Sequence, residues 1–154
     1  MAASKKIISG FPFPLNIEVI KASRGIGSFL SFDFTPADSE AAAPAERAYH
    51  LWIYLSDWEI CEAEKRILDC DETNDEHYEE VLAKFGGSHL RDIQINLKEE
   101  TVQFFFGPNL IVKLESDLEE YDRKDDLFIF FDYLRQKTLS MSPDRGISIE
   151  PFKI

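Results

Sequence analysis

Apolar and polar residues alternate along most of this 154-residue chain with a period of two. That period is typical of β-strands that bury one face. A further run, Leu127–Tyr133, is almost wholly apolar and predicts a central strand that is buried on both faces. We therefore expect eight or nine short strands, with a three-strand meander in the middle of the chain. The alternating runs are 15–20, 28–34, 49–55, 90–97, 101–106, 110–114, 138–141 and 147–150.

One segment, 74–85, has the period of a helix instead. Thr73 and Glu76 are spaced as a capping box at its start, and Gly86 suits the position that follows its end. Acidic residues in the first turn favour the positive end of the helix dipole. The apolar face, spaced i, i+3, i+4 and i+7, consists of Tyr78, Val81, Leu82 and Phe85.

Residues 58–68 fit two structures. The alternation reaches Ile60 and then fades, whereas 59–68 consists of good helix formers. Either a strand or a helix is consistent with this pattern.

These elements predict a single α+β domain, 1–154. Antiparallel sheet dominates it, as a meander, half-barrel or sandwich, with the main amphipathic helix at about 74–85. Residues 1–14 are a Pro-rich lead-in, because prolines remove backbone donors. The stretches 35–46 and 117–126 are predicted surface loops.

Charge distinguishes this chain more than its hydrophobicity does. The formal net charge is −12. Between Asp57 and Glu80 there are eleven acidic residues against only Lys65 and Arg66, so this run alone has a charge of −9. Such a balance argues against binding to nucleic acid or to anionic membranes, both of which need clustered cations.

Neither a membrane span nor a secretory signal is indicated. No run approaches the ~20 apolar residues that cross a bilayer, and Ile7–Ile8 is too short for the apolar part of a signal peptide. We therefore expect a cytoplasmic protein.

The residues that usually carry chemistry do not form a recognisable set. His50, His77 and His89 have no metal-ligand spacing, and Cys61 and Cys70 lie nine residues apart without a CxxC pair. No phosphate-binding glycine loop is present either. The sequence therefore predicts no catalytic residue, no cofactor and no metal ion.

The acidic run is the best candidate for a binding site. Like charges repel one another in a compact protein, so a dense acidic surface serves either solubility or a cationic partner. Trp58 and Tyr78 stand among the acids. Trp58 fits an interface anchor or, as we favour, a core position. The predicted partner-binding residues are Asp57, Glu59, Glu62, Glu64, Asp71, Glu72, Asp75, Glu76, Glu79 and Glu80.

Several short strings carry a family resemblance: residues 24–34 (RGIGSFLSFDF), 50–54 (HLWIY), 57–60 (DWEI) and 87–90 (GSHL). Together they resemble small acidic bacterial proteins of the polymorphic-toxin immunity type, over about residues 15–114. The resemblance implies a cytoplasmic inhibitor that binds one cognate toxin and has no catalytic residues. The expected partner is accordingly a basic protein, the cognate toxin.

Two other functions compete with this one. The Phe-rich sheet could form a cupped pocket for a small ligand or substrate, with His50 and Tyr54 as polar groups inside it. Alternatively, the protein is a structural subunit whose charge serves only solubility.

Overall fold

The computed structural model describes residues 7–8, 16–25, 29–35, 48–54, 56–116 and 125–151. Most of the predicted lead-in, 1–14, and most of the predicted loops, 35–46 and 117–126, lie outside this part of the chain.

Antiparallel β-structure with a single short helix makes up the described part, which confirms the predicted fold class. The strands outnumber the eight or nine expected, because 57–69 contributes two and Ile7–Ile8 adds one. The elements are β1 Ile7–Ile8, β2 Ile17–Arg24, β3 Leu30–Phe34, β4 Tyr49–Ile53, β5 Asp57–Glu62, β6 Lys65–Asp69, α1 Asp75–Ala83, β7 His89–Asn96, β8 Thr101–Gly107, β9 Leu110–Glu115, β10 Phe128–Asp132, β11 Lys137–Ser142 and β12 Gly146–Pro151.

The strands follow one hydrogen-bonded order, β12-β11-β10-β4-β3-β2-β7-β8-β9-β5-β6, and β1 also pairs with β7. β2 joins the two halves of this order. Its first residues pair with β7, and from Val19 onward it pairs with β3, with an irregularity at Ile20. We call the half from β7 to β6 sheet I and the half from β3 to β12 sheet II.

Phenylalanine rings fill the space between sheets I and II. Phe32 of sheet II stacks on Phe106 of sheet I at 5.3 Å between ring centroids, and Phe128 meets Phe104 edge-on at 5.1 Å. All four rings are buried. Side chains therefore fill the space in which the cupped pocket was considered. His50 in β4 and Tyr54 just after it alternate with the buried residues of this strand, which puts both on the outer face of sheet II.

Residues 57–69 form a β-hairpin, which decides between strand and helix for 58–68. Glu62 pairs with Lys65, and the two residues between them, Ala63 and Glu64, have φ of 50° and 70°. Positive φ at both central residues is the geometry of a two-residue hairpin turn. Glycine or asparagine usually occupies such positions, so the sequence carried no turn signal here.

The helix lies close to its predicted place but begins at a different cap. Asn74, not Thr73, is the N-cap: its Oδ1 accepts the backbone N–H groups of Glu76 at 3.0 Å and His77 at 3.2 Å. Both residue types cap helices well, so adjacent candidates are hard to separate from sequence. The preceding Glu72 accepts the N–H groups of residues 73 and 74.

The apolar face of α1 closes one side of the sandwich. Phe85 meets Phe106 at 5.0 Å, and Tyr78 meets Trp58 edge-on at 5.9 Å. Trp58 is 2% exposed, so it belongs to the core, as we favoured.

The first hairpin is longer than the pattern indicated. The alternating runs predicted strands at 15–20 and 28–34, but β2 continues to Arg24, which pairs with Leu30. The Gly25 N–H donates to the Phe29 carbonyl at 2.7 Å and closes the hairpin there.

Candidate partner-binding surface

Strand β5 directs its acids away from the core. Trp58 and Ile60 point toward the helix and the buried interior, and strand alternation sends Asp57 and Glu59 to the outer face of sheet I. Asp57 and Glu59 therefore lie on the opposite side of the β5–β6 hairpin from the acids of α1, whereas Glu62, at the end of β5, approaches Lys84 at the end of the helix.

On the outer face of sheet I the acids surround a cleft of about 290 Å³. Asp57 lies opposite Glu115 on β9, and Glu59 lies between Lys113 on β9 and Asp69 on β6. Like charges directly opposite each other destabilise a sheet. The wall of the cleft contains five carboxylates and two cations. The carboxylates belong to Asp57, Glu59, Asp69, Asp71 and Glu115, and the cations to Arg66 and Lys113.

The cysteine in the cleft wall holds its proton firmly. The Cys70 thiol donates to Asp57 Oδ1 at 3.6 Å, and burial, aided by the Asp57 charge, raises its pKa to about 11. Burial also raises the pKa of the Cys61 thiol, although nearby Lys113 opposes the shift. Both are free thiols. Because the thiolate is the reactive form, neither is an activated nucleophile at neutral pH.

The outer side of α1 forms a second acidic surface, which we call the helix face: Asp75, Glu76, Glu79 and Glu80. All four are exposed. Asp75 bonds Arg24 at 2.7 Å, whereas the carboxylates of the other three have no ion-pair partner among the described residues. Spacings of three and four residues bring these acids next to one another, and such like-charge pairs weaken a helix.

Three of the predicted residues have structural partners at the two ends of the helix. Glu72 accepts the backbone N–H groups before the helix at 3.1 Å each. Asp75 is held by Arg24, and Glu62 Oε1 lies 3.5 Å from Lys84 Nζ. These three acids are thus partly committed to holding the helix against its neighbours.

The ten predicted residues consequently divide into groups. Asp57, Glu59 and Asp71 meet in the cleft. Four of the ten residues make up the helix face, and Glu72 lies in the turn that leads to it. Glu62 and Glu64 lie at the far end of the β5–β6 hairpin. The turn 70–74 connects the cleft to the helix face around β6, the last strand of sheet I.

Sequence reasoning missed two acids and one cation of the cleft. Asp69 lies within the acidic run, so the sequence shows that it adds to the negative charge. Its position across from Glu59 follows only from the pairing of β5 with β6 in the hairpin. Glu115 and Lys113 reach the cleft only because β9 pairs with β5. No local signal in the sequence indicates that pairing.

The aromatic residues of the acidic run are not exposed. Tyr78 is 1% exposed, and its hydroxyl is a buried polar atom without a hydrogen-bond partner among the described residues. Burial raises the pKa of Tyr78 to about 12, against the opposing effect of Arg24, whose guanidinium carbon lies 4.4 Å from the ring centroid. Interface anchors must therefore be sought elsewhere.

The histidines are dispersed. His50 Nδ1 lies 2.6 Å from Asp33 Oδ1, His77 Nε2 donates to the Ile67 carbonyl, and His89 faces Glu18 at 3.8 Å. Among the described residues no group of three or more His, Cys, Asp or Glu is arranged to hold a metal ion.

The short helix α1 has neither the length nor the apolar composition to cross a membrane, and the described residues contain no other candidate. No family of known proteins, no curated protein and no solved structure matches this chain.

Proposed function

We propose that this protein is a non-catalytic inhibitor that binds a basic partner, a cognate toxin, through the acidic surface around the β5–β6 hairpin and α1. One observation carries the proposal: many of these acids occupy positions where a carboxylate weakens the fold. A surface kept for solubility alone has no need of such positions, because acids on any exposed site would serve.

The energetic disadvantage appears in three places. On sheet I, Asp57 opposes Glu115 and Glu59 opposes Asp69 across neighbouring strands. On the helix, Glu79 follows other acids at unfavourable spacing. In the hairpin turn, Glu64 occupies a left-handed conformation that glycine adopts more easily.

Such a surface suits inhibition of a basic active site. Carboxylates match the charge and the acceptor oxygens of a phosphate group, so they compete for cations that bind a phosphorylated substrate. Complementary charge also speeds encounter, which matters for an inhibitor that must capture its target quickly.

The test is rescue of growth. Each gene adjacent to the gene for this chain is expressed alone in a bacterial host and then together with this chain. We expect one neighbouring product to stop growth and co-expression to restore it. Absence of any toxic neighbour, or toxicity that co-expression leaves unchanged, would overturn the proposal.

Binding of the purified pair then tests the charge mechanism. Affinity should fall steeply with salt, because exposed charges are screened beyond ~8 Å at physiological ionic strength. Affinity that is independent of salt would contradict an interface based on this surface.

A further inference from the structure

A groove of about 500 Å³ lies between the C-terminal end of α1 and the turn that joins β8 to β9. Its walls include residues 86–89, which lead from the helix into β7, residues 107–110 of the turn, and Arg91 of β7. We call this space the Arg91 groove. Its volume is within the range of about 300–1,000 Å³ that small-molecule sites occupy. The groove shares no lining residue with the cleft on the outer face of sheet I.

The backbone directs the Arg91 side chain into this groove. Arg91 is an extra residue of β7, between Leu90 and Asp92, and has no partner on β8. An extra residue of this kind bends its strand and changes the direction of its side chain. The side chain lies against Gly107, where a Cβ atom would be only 2.5 Å from Arg91 Nε. A larger residue at position 107 would therefore displace the arginine.

Asn16 holds the guanidinium group from another side. Its Oδ1 accepts a hydrogen bond from Arg91 Nη1 at 3.3 Å, and its backbone N–H donates to the Leu90 carbonyl at 2.6 Å. Asn16 has a φ of 65°, a left-handed conformation that asparagine adopts more readily than most residues do. Arginine has five N–H donors, so most of the donors of Arg91 remain for a ligand.

Among the arginines that the structure describes, Arg91 alone has no carboxylate partner. The other four, Arg24, Arg66, Arg135 and Arg145, pair with Asp75, Asp69, Asp132 and Asp126. Within the groove, Lys84 is compensated by Glu62 at 3.5 Å, and His89 lies 3.8 Å from Glu18. The charge of Arg91 is thus left over, in a chain whose net charge is −12.

The last carbonyl groups of α1 are already hydrogen-bonded, so they do not take up this charge. Val81 and Leu82 accept backbone N–H groups from the residues that follow the helix. Phe85 accepts both the N–H of Ser88 at 2.9 Å and its hydroxyl at 2.6 Å. The described hydrogen bond of Arg91 goes elsewhere.

We propose that the Arg91 groove binds an oxyanion group of a small molecule, a phosphate or a carboxylate. The guanidinium group presents its donors in a planar fork that fits two oxygens of either group. The side-chain amide of Asn109 also lines the groove and has no hydrogen-bond partner in the described part of the chain, so it can donate to a further oxygen. This site goes beyond the proposed inhibitor function, because its ligand has the opposite charge from a basic toxin.

The test is a titration of the full chain with inorganic phosphate and with acetate, followed by the NMR resonances of the backbone amides. Sodium chloride at equal ionic strength is the reference, since any anion is attracted weakly to an exposed arginine. We expect at least one of the two oxyanions to cause saturable shifts at residues 86–89 and 91. The tighter of the two identifies the ligand group as a phosphate or a carboxylate.

Three variants test whether Arg91 holds the anion. Arg91→Gln should weaken binding about tenfold or more, because hydrogen bonds from a charged donor are lost. Arg91→Lys keeps the charge but not the fork, so it should restore only part of the affinity. Gly107→Ala retains Arg91 but displaces its side chain, and should weaken binding several-fold.

Lys98→Gln is the matched control, because it removes the same charge from an exposed residue in the turn between β7 and β8. It should bind the anion as wild type does, and circular dichroism checks that every variant is folded. Shifts that are absent with both oxyanions, or equal with chloride, would overturn the inference. Equal affinities of Arg91→Gln and wild type would overturn it as well. Growth rescue is a separate measurement, so either proposal can fail without the other.

Discussion

Replacing Glu79 by lysine should stabilise the fold and weaken partner binding at the same time. Glu79 is exposed on α1, four residues after Asp75 and three after Glu76. Each like-charge pair at these spacings costs ~0.2–0.5 kcal/mol, and each opposite pair gains a similar amount. Converting two pairs therefore adds about 1 kcal/mol to the free energy of unfolding, or roughly 2–4 °C in Tm for a chain of this size.

Urea unfolding followed by circular dichroism measures the change in stability. Glu99→Lys is the matched control: Glu99 is exposed in the turn before β8, and both substitutions shift the net charge by +2, from −12 to −10. The control thus corrects for the general relief of self-repulsion. Equal stabilisation by the two variants, or destabilisation by Glu79→Lys, would refute the local repulsion on the helix face. Stabilisation without weaker binding would refute the functional reason for retaining Glu79.

Three further predictions concern the same region. Glu64→Gly should raise the free energy of unfolding by about 0.5–1 kcal/mol, because left-handed φ is costly for other residues; lower stability in urea would contradict the turn geometry. Tyr78→Phe should raise the free energy of unfolding by about 1 kcal/mol, because it removes a buried hydroxyl that has no hydrogen-bond partner in the described part of the chain; a loss of stability would mean that the hydroxyl is hydrogen-bonded in solution. In a Cys61→Ser background, alkylation of Cys70 should rise with pH to a midpoint near 11, because burial favours the protonated thiol; a midpoint near the ordinary pKa of about 8.5 would contradict that burial.

The fold was predictable from sequence wherever burial of one face requires a periodic pattern of apolar residues. The meander of β7, β8 and β9 buries alternate residues of each strand, so its pattern alone places it. The helix was visible for the same reason. The β5–β6 hairpin was not, because Ala63 and Glu64 make its turn without the residues that normally signal one.

The outer face of β4 shows where the sequence pattern is ambiguous. Large residues lie on both faces of this strand, with His50 and Trp52 alternating with Leu51 and Ile53. The structure leaves the outer set half-buried. The same holds for β10, which was expected to be buried on both faces. A large aromatic residue has the same pattern whether it meets the core or lies half-buried on the outer face, as Trp52 and Tyr54 do.

The acidic surface was predictable in composition but not in shape. Strand alternation and helix periodicity each send acids outward, so exposure followed from local pattern. The division into a cleft and a helix face depended on which side of β5 the helix covers, and that is set by the long-range contact between Trp58 and Tyr78.

The affinity of two double variants for the toxin that the growth-rescue test identifies tests the central claim most directly. Glu76→Gln with Glu79→Gln removes two charges from the helix face, and Glu99→Gln with Glu150→Gln removes two exposed charges elsewhere. We expect the first pair to weaken binding about tenfold and to flatten its salt dependence, since two close charge contacts are worth about 1–2 kcal/mol. The second pair should bind as wild type does. Equal affinities for the two double variants would contradict the claim that this acidic surface is the binding site.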